Sequence, residues 1–543
     1  MKYKLIGRND FFMPVETILD NRSISRELFD LDKTVIEDYN NYDNMQEGIN
    51  LLISHINNKG KIVIVGDCDV DGATSFAILY NRLKDTYKDI DLHLKIHKGK
   101  EHGLSNDIII EDDVSLVIVI DAGSNDYKQH KQLKDRGIDV LVIDHHECDK
   151  GYSKHAIVIN NQLSKKVYNK NLSGAGVVYK FIKALDDYLF ENKSEQYIDL
   201  VALGNIADVM DLHEKETRYY VYRGIEVINN TFIKALVEQN KFDLEDKYNV
   251  EKVGWVIAPK LNGTIRSGTQ EEKLKMFQAF VSDDYDFCLE TAKMCKNIKS
   301  RQDNAVKSGM AKIIKDIELN KDDKCLILEV GDKLNQSHTG LVAMKLSDKY
   351  KLPTLLYRDI KDKDGFVGGS FRGVDGFTDD LRMDILNSNL VEFSQGHPQA
   401  GGYQLKKQNI PNLKRYLDDL YKNIENIDNK EYRVDFILSE NDIDDYVINQ
   451  LASLESEFGN GIDVPLIAFE DIKLELNKDI NLKGKLNIVF YINGVKFIKK
   501  FSTNILKESL LDKNVTVNFI GKCSMNTYNN TGQVEIVDIE VKE

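Results

Sequence analysis

Three aspartates stand on alternate residues in the stretch IVIVGDCDVDGATS (62–75): Asp67, Asp69 and Asp71, directly behind an apolar run. Like charges so close repel one another and lose hydration if they converge in a cleft, so they need a solvated turn or a compensating cation. Two further apolar runs end the same way: VIVIDAG closes on Asp121, and LVIDHHE on Asp144, His145 and His146. A fourth acidic position, Asp208, lies in ALGNIADVMDL. Hard divalent cations such as Mg²⁺ and Mn²⁺ take carboxylate oxygens, and an added imidazole shifts the preference toward Mn²⁺ or another transition metal. Two such ions sharing carboxylates suit phosphate-ester hydrolysis, because they clamp the attacking and departing oxygens together. Any one of these aspartates alone reads as a helix cap or turn former. Several strand ends carrying them at once read as a metal site.

The elements that must position these residues follow from the pattern around them. Short β-branched runs at 61–66, 91–97, 116–121, 139–144 and 157–160 alternate with amphipathic stretches such as 73–87 and 125–136. Continuous apolar runs separated by helices imply a parallel sheet covered on both faces, a doubly wound α/β domain whose ligand site lies beyond the carboxyl ends of the strands at a topological switch point. From 173 to 310 the pattern is mainly helical. A second mixed segment over 311–425 carries GGSFRGVDG (368–376) and GHPQAGGY (396–403), where glycine implies close backbone approach. The final stretch alternates apolar and polar residues around the hairpin signal Asn493–Gly494, as expected of a small all-β barrel of OB type. The expected division is therefore a doubly wound domain over 1–225, a helical connector over 226–310, a smaller α/β domain over 311–425 and an OB-like barrel over 426–543.

Bulk properties narrow the function. With 543 residues the chain exceeds one core, and its six cysteines form no CxxC pair, which argues against a zinc ribbon or disulfide framework and for a reducing cytoplasm. No apolar run approaches membrane length, and the N-terminus has no signal-peptide core. A net charge of −15 argues against a nonspecific nucleic-acid coat protein. It leaves room for a nuclease, since basic stretches such as 92–102 and 293–307 can line a nucleic-acid track or form a solvated face.

Together GDCDVDG, VIDAG, VIDHHE, LSGAG and LGNIADVMDL resemble the motifs of the DHH phosphoesterase superfamily, and within it the RecJ group of single-strand-specific exonucleases. APKLNGTIR resembles the connector of that group, GGSFRG and QGHPQAGGY its DHHA1 subdomain, and LESEFGNGIDVP and CSMNTYNNTGQVEIVDI its C-terminal OB domain. The resemblance implies that Asp69, Asp71, Asp121, His145 and Asp208 hold a pair of Mn²⁺ or Mg²⁺ ions, with Asp121 the bridge and Asp67 a ligand or near neighbour. It implies that Asp144 fixes a histidine tautomer and that His146 faces the scissile phosphate. Ser370, Arg372 and His397, with backbone at Gly396, Gly401 and Gly402, would grip phosphates or the terminal nucleotide, and Asn262 and Arg266 are connector candidates. Tyr528 and Lys522 would extend the single-strand track.

The function so implied is 5′-to-3′ hydrolysis of single-stranded DNA in repair or recombination, by a monomer, with a helicase or single-strand-binding protein as partner. The alternatives are a phosphodiesterase acting on oligoribonucleotides or cyclic dinucleotides, and a catalytically idle replication scaffold. The sequence departs from the group's pattern at Cys68, where Tyr is common, and around His397, where QGHPQAGGY replaces a double glycine before the histidine.

Overall fold

The structure is a computed structural model that describes residues 1–99, 101–317, 319–320, 322–361, 363–424, 431–474, 480–483, 487–500 and 514–542. Lys100 of the first basic stretch, and Lys485, Leu486 and Phe501 of the C-terminal strand candidates, lie outside the described residues. The chain divides into two compact units, one formed by 1–296 together with 431–543, the other by 297–430. Among the described residues no helix is long and apolar enough to cross a membrane. All six cysteines are free thiols.

The first unit is built on five strands, β1 (Lys61–Gly66), β2 (Leu92–Ile96), β3 (Val114–Ile120), β4 (Asp139–Asp144) and β5 (Ile157–Asn160). They pair in the order β2-β1-β3-β4-β5, all parallel. Alternation along each strand sorts the apolar residues by face. Ile62, Ile64, Ile118, Ile120 and Ile143 join one core with α1 (Val70–Thr86), α2 (Gly174–Leu189) and α3 (Ile198–Ala207), while Val63, Val65, Val117, Val119 and Val142 join a second core with Leu104 and Leu133. Burial on both faces is why these strands read as unbroken apolar runs. The strand order reverses between β1 and β3, so the crevice beyond their carboxyl ends is the switch point. Further on, α4 (Ala258–Ser267) follows a π-helical turn, Val253–Ile257.

The C-terminal segment of this unit is β-rich, as expected, but not all-β. A seven-stranded sheet runs from Phe436–Ser439 through Ile467–Leu474, Val515–Asn526, Thr531–Lys542, Val495–Lys499 and Asn487–Ile492 to Ile480–Lys483, and the pairing among the described residues does not close it. A helix, Asp445–Ser453, lies on it, capped by Asp444 and burying Val447, Ile448 and Leu451 against Phe469 and Phe519. The helical spacing of those three apolar residues outweighs the β-rich composition around them. Asn493 and Gly494, both at positive φ, form the expected two-residue turn, with Ile492 opposite Val495. The chain's first strand, Lys2–Leu5, pairs in parallel with Glu431–Val434.

The second unit carries a five-stranded sheet of β6 (Leu326–Glu329), β7 (Thr354–Asp359), β8 (Phe366–Arg372), β9 (Val391–His397) and β10 (Ala400–Lys406), in the order β9-β10-β8-β7-β6. Only β6 and β7 are parallel. Helix α5 (Thr339–Tyr350) packs on one face through Val342 and Leu346, and the helix Ile410–Leu420 packs on the other through Leu413 and Leu417.

Candidate metal centre

The triple aspartate is placed by the turn from β1 into α1. Asp69 is the N-cap of α1 and accepts a hydrogen bond from Gly72 N at 2.8 Å. A Cβ on Gly72 would stand 2.5 Å from Asp67 O, so the tightness of this turn requires glycine. Asp71, in the first turn of α1, is buried and aims its carboxylate at the N-terminus of α2, accepting from Gly174 N at 2.6 Å and Ala175 N at 3.0 Å. The positive end of that helix favours the charge, although burial pushes the carboxyl upward overall. Asp67 is buried, and its Oδ2 accepts from His102 Nδ1 at 2.7 Å.

Asp121, just beyond β3, sits in the left-handed region at φ +59° with its amide bonded to Ile143 O at 2.9 Å. Both its carboxylate oxygens are buried without a hydrogen-bond partner, as is Asp67 Oδ1. His145 Nε2, beyond β4, lies 3.2 Å from Asp121 Oδ1, 3.6 Å from Asp208 Oδ2 and 3.9 Å from Asp71 Oδ2. Asp208 caps the C-terminus of α3. Helix α2 approaches closely enough that a Cβ on Gly174 would meet Asp121 Oδ1 at 2.3 Å, and one on Gly204 of α3 would meet Asp71 Oδ1 at 2.4 Å.

Burial, then the neighbouring charges of Asp71, Asp69 and Asp67, hold the Asp121 carboxyl far above the usual carboxylate range. Burial and then Asp71 push Asp208 up to about 8. Burial also lowers the His145 imidazole, keeping it neutral as a metal ligand must be. Ligand atoms of Asp67, Asp69 and Asp121 lie within 4.8 Å of one another, as do those of Asp71, His145 and Asp208, and of Asp121, His145 and His146. Orphaned buried carboxylate oxygens, mutual repulsion and a neutral imidazole are what a divalent-cation site presents before the cation is bound. The residues fit the group.

Asp144 plays a different part. It accepts from Ser124 N at 3.0 Å, His145 N at 2.7 Å, His146 N at 3.1 Å and His146 Nδ1 at 2.8 Å. Burial alone would raise its carboxyl, yet the bond and charge of His146 hold it well below the usual range. Burial opposes charge on His146 in turn, but Asp144 lifts it to about 9, leaving an imidazolium 57 % exposed beside the cluster.

Residues 61–205 match the DHH family, N-terminal domain. YorK of Bacillus subtilis (strain 168), an SPbeta prophage-derived protein provisionally named a single-strand DNA-specific exonuclease, is 36 % identical over all of this chain and 98 % of its own length. The chain belongs to the RecJ group of the DHH superfamily. The single-stranded-DNA-specific exonuclease RecJ of the same organism is 26 % identical over 92 % of the chain and 64 % of its own length. Among solved structures, RecJ of Thermus thermophilus in complex with Mn²⁺ shares the fold at a TM-score of 0.76, with 20 % identity over 97 % of this chain and 76 % of that one.

Within this RecJ-group chain, Ser370, Arg372 and His397 of the second unit share one face of its sheet, while Gly396 and Gly401 lie in the Phe371 row, which belongs to the other. Arg372 pairs across β10 with Ala400, which pairs with His397, and Ser370 pairs with Gly402 in the neighbouring row. The Arg372 guanidinium reaches over the first turn of α5, so a Cβ on Gly340 would lie 2.9 Å from its Nη2. Two of the glycines answer to the sheet itself. A Cβ on Gly369 would fall 1.7 Å from Leu356 O, and one on Gly401 would fall 2.1 Å from Gln395 O, whereas Gly396 takes φ +120°.

Elsewhere in the first unit, Arg266 is exposed on α4 and Asn262 lines a groove beside Asp208. Lys522 is engaged with Glu251 at 2.8 Å, and Tyr528 is 97 % exposed in the turn between the last two strands.

Sequence reasoning missed His102. Its one signal was membership of the basic stretch 92–102, and its contact with Asp67 spans 35 residues. It also left Cys68 without a role. The thiol bonds weakly to His97 O at 3.4 Å, and burial pushes it up to about 11, so it is a protonated, half-buried spacer rather than a nucleophile.

Proposed function

We propose that the protein is a divalent-metal-dependent exonuclease that hydrolyses phosphodiester bonds of single-stranded DNA from the 5′ end. The observation that supports it best is the convergence of Asp71, Asp121 and Asp208 on His145 and of Asp67 and Asp69 on Asp121, with both Asp121 oxygens buried and unpartnered. The names of the relatives supply the substrate, and the resemblance of the motifs supplies the polarity.

In this reading those six side chains hold two Mn²⁺ or Mg²⁺ ions, which supply Lewis acidity toward water and the phosphoryl oxygens. The chain's own residues do the rest. The N-terminus of α2 orients Asp71, and Asp144 holds His146 by its Nδ1 so that Nε2 presents a proton to the scissile phosphate or the departing oxygen. Ser370, Arg372 and His397, with the backbone at Gly396, Gly401 and Gly402, grip a phosphate, the guanidinium bidentately. Arg266 on α4 and Tyr528 at the C-terminal sheet contact the strand further along, the tyrosine by stacking. The functional division follows the expected segments: catalysis within 1–225, connection over 226–310, phosphate grip over 311–425 and strand guidance over 426–543.

Digestion of end-labelled single-stranded DNA and RNA with Mn²⁺ or Mg²⁺ tests the reading. Mononucleotides released first from the 5′ end of DNA support it. Hydrolysis confined to dinucleotides or cyclic dinucleotides sinks it, and so does full activity in chelator.

A further inference from the structure

We propose that the groove walled by Val209, Met210, Trp255, Pro259, Asn262 and Asn460 seats one nucleobase of the single strand, stacked on Trp255. The assignment rests on the nuclease reading and adds to it a base-binding subsite beside the metal centre.

The groove has a volume of about 450 Å³. Its position follows from the chain, because Ala207 and Val209, which flank the ligand Asp208, both line it. In this proposal a nucleotide whose phosphate lies at the metal cluster places its own base, or that of its neighbour, in the groove.

Two conformational oddities converge there. Trp255, the chain's one tryptophan, is 79 % exposed and is carried by the π-helical turn Val253–Ile257, a form of helix that occurs mainly at functional sites. Val209, which lines the same groove, stands at φ +60° and is 60 % exposed. It ends α3 in the position glycine usually takes, with Val209 N bonded to Ile206 O at 3.2 Å and Met210 N to Asn205 O at 3.0 Å. A β-branched residue in the left-handed region is a strained choice, and such strain collects at ligand sites. The loop is held in place from the far wall, where Leu212 N bonds to Asn460 O at 3.0 Å and the Asn460 amide donates to Val209 O.

The lining chemistry selects the occupant. The groove's lining residues include no lysine or arginine, Glu251 is engaged by Lys522, and Asp463 contributes a carboxylate, so the lining itself offers a phosphate no cation. The walls are largely apolar, and among the described residues the Asn262 carboxamide makes no hydrogen bond, leaving a donor and an acceptor for the edge of a base. A flat, neutral ring with a hydrogen-bonding rim matches this set, and every nucleobase has one.

Because Trp255 is the only tryptophan, its emission reports the groove directly. The full chain is titrated in chelator with oligothymidylate and with an abasic oligomer of equal length, binding being followed separately by anisotropy of labelled strands. The expected result is quenching or a spectral shift of the tryptophan emission with oligothymidylate, and none with the abasic strand even where anisotropy shows it bound. With Mn²⁺, Trp255→Ala raises KM for oligonucleotide hydrolysis roughly tenfold, as loss of one base stack does, and Trp255→Phe restores most of it. Oligothymidylate bound without any change in emission, or Trp255→Ala with KM unchanged, overturns the subsite and leaves the nuclease reading standing. Strands that neither bind nor are cut with Mn²⁺ overturn the nuclease reading and the subsite with it.

Discussion

At the scale of single residues, the folded chain keeps carboxylates in places that cost it stability until a cation arrives. Asp121 shows this most plainly, since its oxygens are buried, unpartnered and close to four other aspartates. Asp121→Asn is expected to abolish metal-dependent hydrolysis and weaken Mn²⁺ binding in calorimetry. In chelator it raises Tm at neutral pH, because the amide is neutral without having to take up a proton when it is buried. Asp208, held at about 8, is protonated at neutral pH in the metal-free chain. Since its folded value lies above its unfolded one, its contribution to stability falls as pH rises from about 4 through about 8. Mn²⁺ uptake at neutral pH should therefore release protons, read as a dependence of the binding enthalpy on the ionisation enthalpy of the buffer. His146 shows the opposite sign of charge. Its contribution is present below its unfolded value of about 6.5 and is lost as pH rises through about 9. Asp144→Asn should bring the His146 titration in the metal-free protein down toward the ordinary histidine value, measured by NMR of the imidazole; a titration left near 9 would show that Asp144 is not the cause.

At the scale of elements, the site is made by ends. Three strands deliver their last residues to one edge, and α2 brings its N-terminal amides to Asp71. This explains why LSGAG needs small residues: the first turn of α2 lies against both Asp71 and Asp121. Gly174→Ala places a methyl group where Asp121 Oδ1 stands, so it should reduce Mn²⁺ affinity by about 10–100-fold with helix content unchanged in circular dichroism, the size of effect that displacing a ligand's support produces. The glycines of β8 and β10 differ in kind. Gly369 and Gly401 are required by the neighbouring strand, so the close approach anticipated for a ligand is in part an approach of backbone to backbone.

At the scale of the whole molecule, the compact unit that holds the metal centre is assembled from both ends of the chain. Arg22, at the end of the helix Pro14–Arg22, makes a two-pronged bond at 2.7 Å to each oxygen of the fully buried Asp435. Arg218 reaches Glu457 at 2.8 Å, and residues 458–464 form one wall of the groove beside Asp208. Removing the residues after 430 would therefore strip supports from the catalytic unit itself. A gentler test is Asp435→Ala, which leaves the Arg22 guanidinium without its carboxylate partner, only the bond to Asp463 O remaining. A cost of about 3–5 kcal/mol is expected, seen as a fall in Tm of about 5 °C or more.

The convergence of the candidate metal ligands was legible in the sequence because most of them lie at the ends of apolar runs, and a parallel sheet brings such ends together whatever their separation along the chain. The contact of Asp144 with His146 was anticipated only through the family resemblance. The turn at Asn493–Gly494 was readable from two residues, since its backbone conformation is a local matter. His102 against Asp67, the amides of α2 against Asp71, the exposed Trp255 in one groove with Val209, and the union of residues 1–296 with 431–543 were not readable. None of them leaves a periodic or local signature. They depend on which surfaces meet once the sheet has packed between its two cores, and that is decided by contacts between segments from 35 to several hundred residues apart.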